Sequence, residues 1–379
     1  DGLIALEAGD AVFLDTAAAR HTILSLTLPP HPTAGDLAII DTPLYVLAAL
    51  ENDYLARGDL AFSARYRDRI EDILRLFSSF QNAAGFVDAR QVRSYGFFPD
   101  WSATPASGPD AHGAPAYGQM LLLRAFEIGA DFFERWGDAA QAGLYRRKAN
   151  QLRDSIRARF WDPQRRVFLN GIDSQGRLDT RVTRYAQTFA ILTGVAPRSD
   201  WAGLVDGVLA NPAYRPANWS IGQQWEFLAF ARAGRMSPVI VRLKSDWGAA
   251  RRRGWTRFIE DIRPGDDELR QLVMYSHPFG NSLCHAWAGA AVILALTRGL
   301  LGVWPTGPGY STCRVAPQLC GLKYLRGSVP TPRGPIAVEV SAGRVHLSLP
   351  PGTRLEGSAH PGGSGAVTFD LPAAPAALD

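Results

Sequence analysis

Three stretches of the sequence bring chemically capable side chains close together. The first is Gly254-Trp255-Thr256-Arg257-Phe258-Ile259-Glu260-Asp261. A carboxylate in a loop among aromatic rings is partly desolvated. Desolvation raises its pKa towards neutrality, as a general base requires. The same residues also read as a surface Glu-Asp pair beyond a helix that ends in Arg251-Arg252-Arg253. The second stretch is Asn281-Ser282-Leu283-Cys284-His285-Ala286-Trp287. Ser282 can cap a helix and set His285 in its first turn. A neutral histidine there can donate to a sugar hydroxyl, or simply be hydrogen-bonded at the helix start. The third is Phe97-Phe98-Pro99-Asp100-Trp101. A carboxylate beside an indole suits a sugar, which needs hydroxyl partners and a flat ring to stack on. A buried turn closed by an Asx bond is the other reading. No Gly-rich phosphate loop, HExxH or GxSxG is present. The three cysteines, Cys284, Cys313 and Cys320, form no CxxC pair, so neither a zinc site nor a disulfide framework is expected, and no required cofactor.

Helices must position these loops. Leu44, Leu47, Ala48, Leu50, Tyr54 and Leu55 form one stripe over Thr42–Arg57, and Gly58-Asp59 ends it. Leu60–Phe80 repeats the pattern. Ala116–Trp136 and Ala139–Phe160 form a pair joined by Gly137-Asp138. Further helices are expected around Thr183–Thr193, Trp201–Ala210, Ile221–Gly234, Ser237–Arg252 and Ser282–Leu300. Paired helices over some 300 residues, with no repeat of fixed period, point to hairpins closed into an (α/α) barrel. After Gly302 the pattern changes to short alternating runs between Gly and Pro, such as Ile336–Val340, Val345–Leu349 and Ala366–Leu371. These read as strands of a small β-sandwich. The expected division is therefore a helical domain over 1–302 and a β-domain over 303–379.

Composition narrows the partners. Forty Lys+Arg against thirty-six Asp+Glu leave a net charge of +4, with no basic stripe interleaved with aromatics, so nucleic acid is not an expected partner. No run of 18 apolar residues exists, so no transmembrane helix is expected. Asp1-Gly2-Leu3-Ile4-Ala5 shows no basic region of a signal peptide. Cytoplasmic, periplasmic and secreted locations all stay open, as does the oligomeric state. Ten Trp, eleven Tyr and eighteen Phe suit a large core, with some rings left for a sugar cleft.

Together the stretches resemble the α-L-rhamnosidases of glycoside hydrolase family 78 over roughly residues 35–345. Phe98-Pro99-Asp100-Trp101 is similar to the family's FxDW. Asp246-Trp247-Gly248 with Gly254–Glu260 resembles its W…GaTTxWE, and Ser282–Trp287 its SLCHgW. Gly302-Val303 with Pro305, Pro308-Gly309-Tyr310 and Pro317 resembles its GI.P..PGf…I.P. Gly327–Gly334 resembles its GsvpTPhG.

The resemblance implies an (α/α)6 barrel followed by a β-sandwich. It also implies inverting hydrolysis of terminal α-L-rhamnosyl residues by two carboxyl groups about 6.5–9.5 Å apart. Glu260 takes the place of the water-activating base. His285, Asp100 and Trp101 match positions that bind rhamnose, and Trp255 and Trp287 are expected in the cleft wall. Asp10, in Gly9-Asp10, matches an aspartate that contacts substrate. The family's acid motif, DxxxRxExxxWxGD, is not met: counting back seven from Asp10 lands on Leu3, and its Trp position holds Glu7. Either the motif lies upstream of residue 1 or the acid has been lost. A sugar-binding homologue without catalysis, or another (α/α)-barrel glycosidase, are the alternatives.

Overall fold

The computed structural model describes residues 2–27, 39–100, 108–217, 219–263, 265, 267–274, 277–282, 284–356 and 365–370. Its first part is a chain of helices: α1 (Gly2–Val12), α2 (Thr16–Thr27), α3 (Thr42–Arg57), α4 (Leu60–Ala64) and α5 (Arg67–Ser79). There follow α6 (Ala116–Arg135), α7 (Ala139–Phe160), α8 (Arg184–Leu192) and α9 (Arg198–Leu204). The last are α10 (Ser220–Arg232), α11 (Ser237–Arg252), α12 (Glu268–Leu272) and α13 (Ala290–Leu294).

Local chemistry sets these boundaries. Pro43 opens α3, where the missing N–H costs no helical hydrogen bond, and Gly58 closes it in the left-handed region at φ 78°. Asp59 and Asp138 cap α4 and α7 by accepting from Phe62 N and Gln141 N. Two expectations are corrected. Leu60–Phe80 is not one helix, because Tyr66 leaves helical geometry (φ −105°, ψ 11°) and splits it into α4 and α5. Nor does Ser282 begin a helix: His285 precedes a 3-10 turn, Ala286–Gly289, which leads into α13 and a π-helical turn, Ala295–Leu300.

Six helices form the inner wall. α1 packs on α3, α3 on α6, α6 on α8, α8 on α10, α10 on α13, and α13 returns to α1, closing the ring. α2, α5, α7 and α9 pack outside. The inner helix α6 is buried nearly all round, whereas outer α5 buries only the stripe Ile70, Ile73, Leu74 and Phe77. The inner helices start at one common end. Ile4, Ile221 and Ala290 share one apolar cluster, and the starts of α3 and α6 are joined by Tyr117 and Asp41. This is the (α/α)6 barrel expected from the sequence.

Seven strands follow: β1 (Val303–Pro305), β2 (Thr312–Val315), β3 (Tyr324–Val329), β4 (Ile336–Ser341), β5 (Arg344–Leu349), β6 (Arg354–Leu355) and β7 (Gly365–Asp370). One sheet runs β7-β5-β4-β3, all antiparallel; the other runs β6-β2-β1, with β6 parallel to β2. Alternate residues of β4 and β5 (Ile336, Val338 and Val340; Val345, Leu347 and Leu349) face one core with Val303, Cys313 and Val315 of the other sheet. Among the described residues, no helix is long and apolar enough to cross a membrane.

Candidate active site

The mouth of the barrel, where the inner helices start, gathers the chemically capable residues. Two fully buried glutamines hold its loops. Gln119 on α6 bonds both N–H and C=O of Val87, and Gln187 on α8 does the same for Phe168. Each amide satisfies two buried backbone groups that would otherwise go unpaired.

Glu260 is fixed by strand-like pairing of its loop with residues 281–285. Glu260 N–H donates to Ser282 O (3.0 Å) and His285 N–H to Phe258 O (2.9 Å). Asn281 accepts from Asp261 N and donates to Asp261 O (3.2 and 2.9 Å). The pairing brings His285 Nδ1 to 3.4 Å from Glu260 Oε2, with side chains 7% and 16% exposed. Burial lowers the pKa of His285, against the opposing pull of Glu260, so the imidazole is neutral near pH 7. Phe258 packs over Gly289, where a Cβ would come within 2.7 Å of its ring. Glycine is therefore required there for the loop to seat against the turn after His285.

Asp100 lies across the start of α10. It is 1% exposed, and its Oδ1 accepts from the Tyr185 hydroxyl at 2.9 Å. It sits so close to Gly222 that any side chain at 222 would overlap its carboxylate. Three residues earlier, Trp219 pairs with Asp261, the neighbour of Glu260. The start of α10 thus links the Asp100 and Glu260 segments. A second buried carboxyl, Asp41, accepts from Phe98 N and the Tyr117 hydroxyl, both at 3.1 Å. Burial raises its pKa to about 7 in spite of those donors. Tyr45 stacks on Trp225 (5.9 Å, 10°), and its phenol is pushed well above the usual value by burial and the nearby carboxylates of Asp41 and Asp100.

The structure therefore brings Glu260 and His285 together, with Asp100 on the adjoining segment. Trp101 lies outside the described residues. Trp287 stands in the turn that follows His285. Trp255 packs with Ile259, Ile262 and Ala250, and Arg253 lies over its ring. Asp10 stands in the last turn of α1, not at the mouth. Arg57 binds its Oδ1 at 2.5 Å, Asn52 binds its Oδ2 at 2.8 Å, and Arg57 also pairs with Asp53. Leu3, which the resemblance sets at the place of the acid, is a buried core residue at 4% exposure. Asp41, Tyr117, Tyr185, Tyr45 and Trp225 were not singled out from the sequence. Each lies at or near the start of an inner helix, where an aromatic or a helix-flanking Asp looks the same as ordinary core. Among the described residues, no three His, Cys, Asp or Glu are placed to hold a metal.

Comparison with known proteins agrees with this architecture. Residues 302–356 match the model of the bacterial alpha-L-rhamnosidase C-terminal domain. No curated protein matches by sequence. A GH78 family rhamnosidase of Bacillus sp. GL1 superposes with TM-score 0.72 at 24% identity, over 92% of this chain and 38% of that one. A rhamnosidase from Klebsiella oxytoca with rhamnose bound gives 0.61 at 20% identity, over 79% and 58%. The Streptomyces avermitilis alpha-L-rhamnosidase complexed with L-rhamnose gives 0.65 at 15%, over 100% and 37%. The chain thus spans between about two fifths and three fifths of the length of these relatives. Over its helical ring it has the fold of the family 78 rhamnosidases, and over residues 302–356 it matches the model of the bacterial alpha-L-rhamnosidase C-terminal domain.

Proposed function

We propose that the chain is the catalytic portion of a glycosidase that hydrolyses terminal α-L-rhamnosyl residues with inversion. The observation that carries this is the buried Glu260–His285 pair at the mouth of a rhamnosidase-like barrel. Glu260 takes the proton of the attacking water as the bond from the sugar's anomeric carbon to the aglycone oxygen breaks, and the departing oxygen takes its proton from solvent. His285, neutral and with Nδ1 3.4 Å from Glu260 Oε2, turns its one N–H towards the carboxylate and accepts from a sugar hydroxyl at Nε2. Asp100, held by Tyr185, accepts from further hydroxyls. An apolar wall suits rhamnose, which carries a methyl where glucose carries CH2OH. Glu260→Gln keeps shape and removes the base. It is expected to lower release of p-nitrophenol from p-nitrophenyl α-L-rhamnoside by about 100-fold or more, with unchanged unfolding temperature. Wild-type turnover in that variant refutes the assignment.

A second reading is binding of rhamnose without turnover. It is favoured by the apolar, buried Leu3 and by Asp10 being held by Arg57. It requires that calorimetry find L-rhamnose affinity while no rhamnoside is cleaved at any protein concentration.

A further inference from the structure

Below the mouth the ring encloses a second space. From the level of Leu3, Tyr45 and Trp225 the lumen stays open as a cavity of about 230 Å³, reaching Arg298, Trp304 and Pro305 where the helices meet β1. That is roughly the volume of eight waters at ~30 Å³ each, or of one monosaccharide-sized molecule. The stacked rings of Tyr45 and Trp225, with Phe189 tilted 5.8 Å from Trp225, line its upper end. Glu260, His285, Asp100 and Asp41 do not line it.

The lumen is charged. Arg124 on α6 and Glu51 on α3 meet at 2.5 Å inside the ring, yet keep 34% and 23% of their side-chain surface accessible. Both line the cavity, so it is the cavity that they face. Arg298 donates to Val303 O (2.8 Å) and lies over the Trp304 ring at 5.4 Å. Glu7 accepts from Gln224, and burial raises its pKa to about 7. The wall therefore carries three guanidiniums, Arg124, Arg232 and Arg298, against the carboxyls of Glu7 and Glu51. Two further polar groups lie on lining residues but are themselves buried. The Trp225 indole N–H is buried, on a residue 9% exposed, and the Tyr45 hydroxyl is buried too; neither has a hydrogen-bond partner among the described residues. Three guanidiniums against two carboxyls select an acceptor-rich anion. The indole faces of Trp225 and Trp304 suit the C–H face of a sugar ring.

We propose that this axial cavity is a second binding site, separate from the mouth, for a monosaccharide-sized hydroxy acid such as a hexuronate. The carboxylate meets Arg124 and Arg298, the ring lies against Trp225 and Trp304, and hydroxyls reach Glu7 and Asn52. The proposal does not depend on the rhamnosidase reading.

Calorimetry on the full chain tests it, with D-galacturonate as probe and D-galactose as its neutral counterpart. The uronate is expected to bind in the millimolar range or tighter, and galactose at least about tenfold more weakly. Saturating L-rhamnose is expected to leave uronate binding unchanged. Ala48→Phe, which fills the lumen from α3, is expected to abolish it. If that variant does not fold, Ile128→Phe narrows the same lumen from α6. Equal binding of uronate and galactose, competition by rhamnose, unchanged uronate binding in a folded lumen-filled variant, or no uronate heat at millimolar concentration overturns the proposal. Uronate binding in a chain that cleaves no rhamnoside leaves it standing and removes the proposed function instead.

Discussion

The contact between Gly222 and Asp100 supports a quantitative prediction. A methyl added at 222 overlaps Asp100 Oδ2 outright, lies 2.9 Å from Asp100 Cγ and 2.5 Å from Ala217 Cβ. Carbon atoms rest about 3.5–4.0 Å apart, so Asp100 must retreat by roughly 1 Å. Asp100 is 1% exposed and its Oδ1 holds the Tyr185 hydroxyl at 2.9 Å, so the retreat strains or breaks that bond. Overpacking costs about 1–3 kcal/mol and the lost bond about 1 kcal/mol more. Gly222→Ala is therefore expected to lose about 2–4 kcal/mol in urea unfolding. If Asp100 binds the sugar, a 1 Å misplacement lowers kcat/KM on p-nitrophenyl α-L-rhamnoside by about 100-fold. The double variant with Asp100→Ala isolates the cause. Removing the carboxylate removes most of the clash, so Gly222→Ala should then cost at least about 1 kcal/mol less, the residue being the contact with Ala217. A Gly222→Ala chain with unchanged stability, or a cost that is the same with and without Asp100, refutes the reasoning.

Three further outcomes are expected. Asp10→Asn weakens a buried ion pair and leaves Arg57 with Asp53; unfolding should show a loss of about 3 kcal/mol, while the KM for rhamnoside stays constant. A raised KM with intact stability would return Asp10 to the sugar site. Glu7 has a folded pKa of about 7 against 4.5 unfolded, so between those values the folded state binds more protons. Its contribution is fully present below pH 4.5 and is lost as pH rises to about 7, on the order of 2–3 kcal/mol. Relative to wild type, Glu7→Gln should gain by that amount between pH 5 and pH 8 in urea unfolding; parallel profiles would show that Glu7 does not titrate there. Gly289→Ala drives a methyl to 2.7 Å from the Phe258 ring and should unseat the Glu260 loop. Activity is then expected to fall more than stability, and a variant active at wild-type level would mean that Phe258 moves without carrying Glu260.

The sequence by itself determined most of the helices from α3 onward, while α1 and α2 went unmarked. Apolar spacing, Pro43, Gly58 and the Asp59 and Asp138 caps are local signals, so Thr42–Arg57, Ala139–Phe160 and Ser237–Arg252 are found where periodicity sets them. Alternation likewise marked β4 and β5. Local patterning could not show that Tyr66 breaks a helix, or that the segment before α13 pairs with the Glu260 loop and leaves Ser282 no role as a cap. Backbone pairing between residues 20 or more apart is a tertiary event. The site divides in the same way. Glu260, His285 and Asp100 were visible as polar groups in aromatic loops, each with an ordinary structural reading beside it, and the resemblance to the rhamnosidase motifs is what implied their roles. Asp41, Tyr117 and Tyr185 were not visible, because their importance lies only in where closure of the ring brings their ends together. Asp10 is the converse case: its motif pointed to the mouth, while the position of Arg57 one helix away made it a buried salt bridge. The charged lumen is the furthest from local sequence. Its wall is drawn from inner helices and β1, and only the closed barrel makes Glu51, Arg124 and Arg298 neighbours of one space.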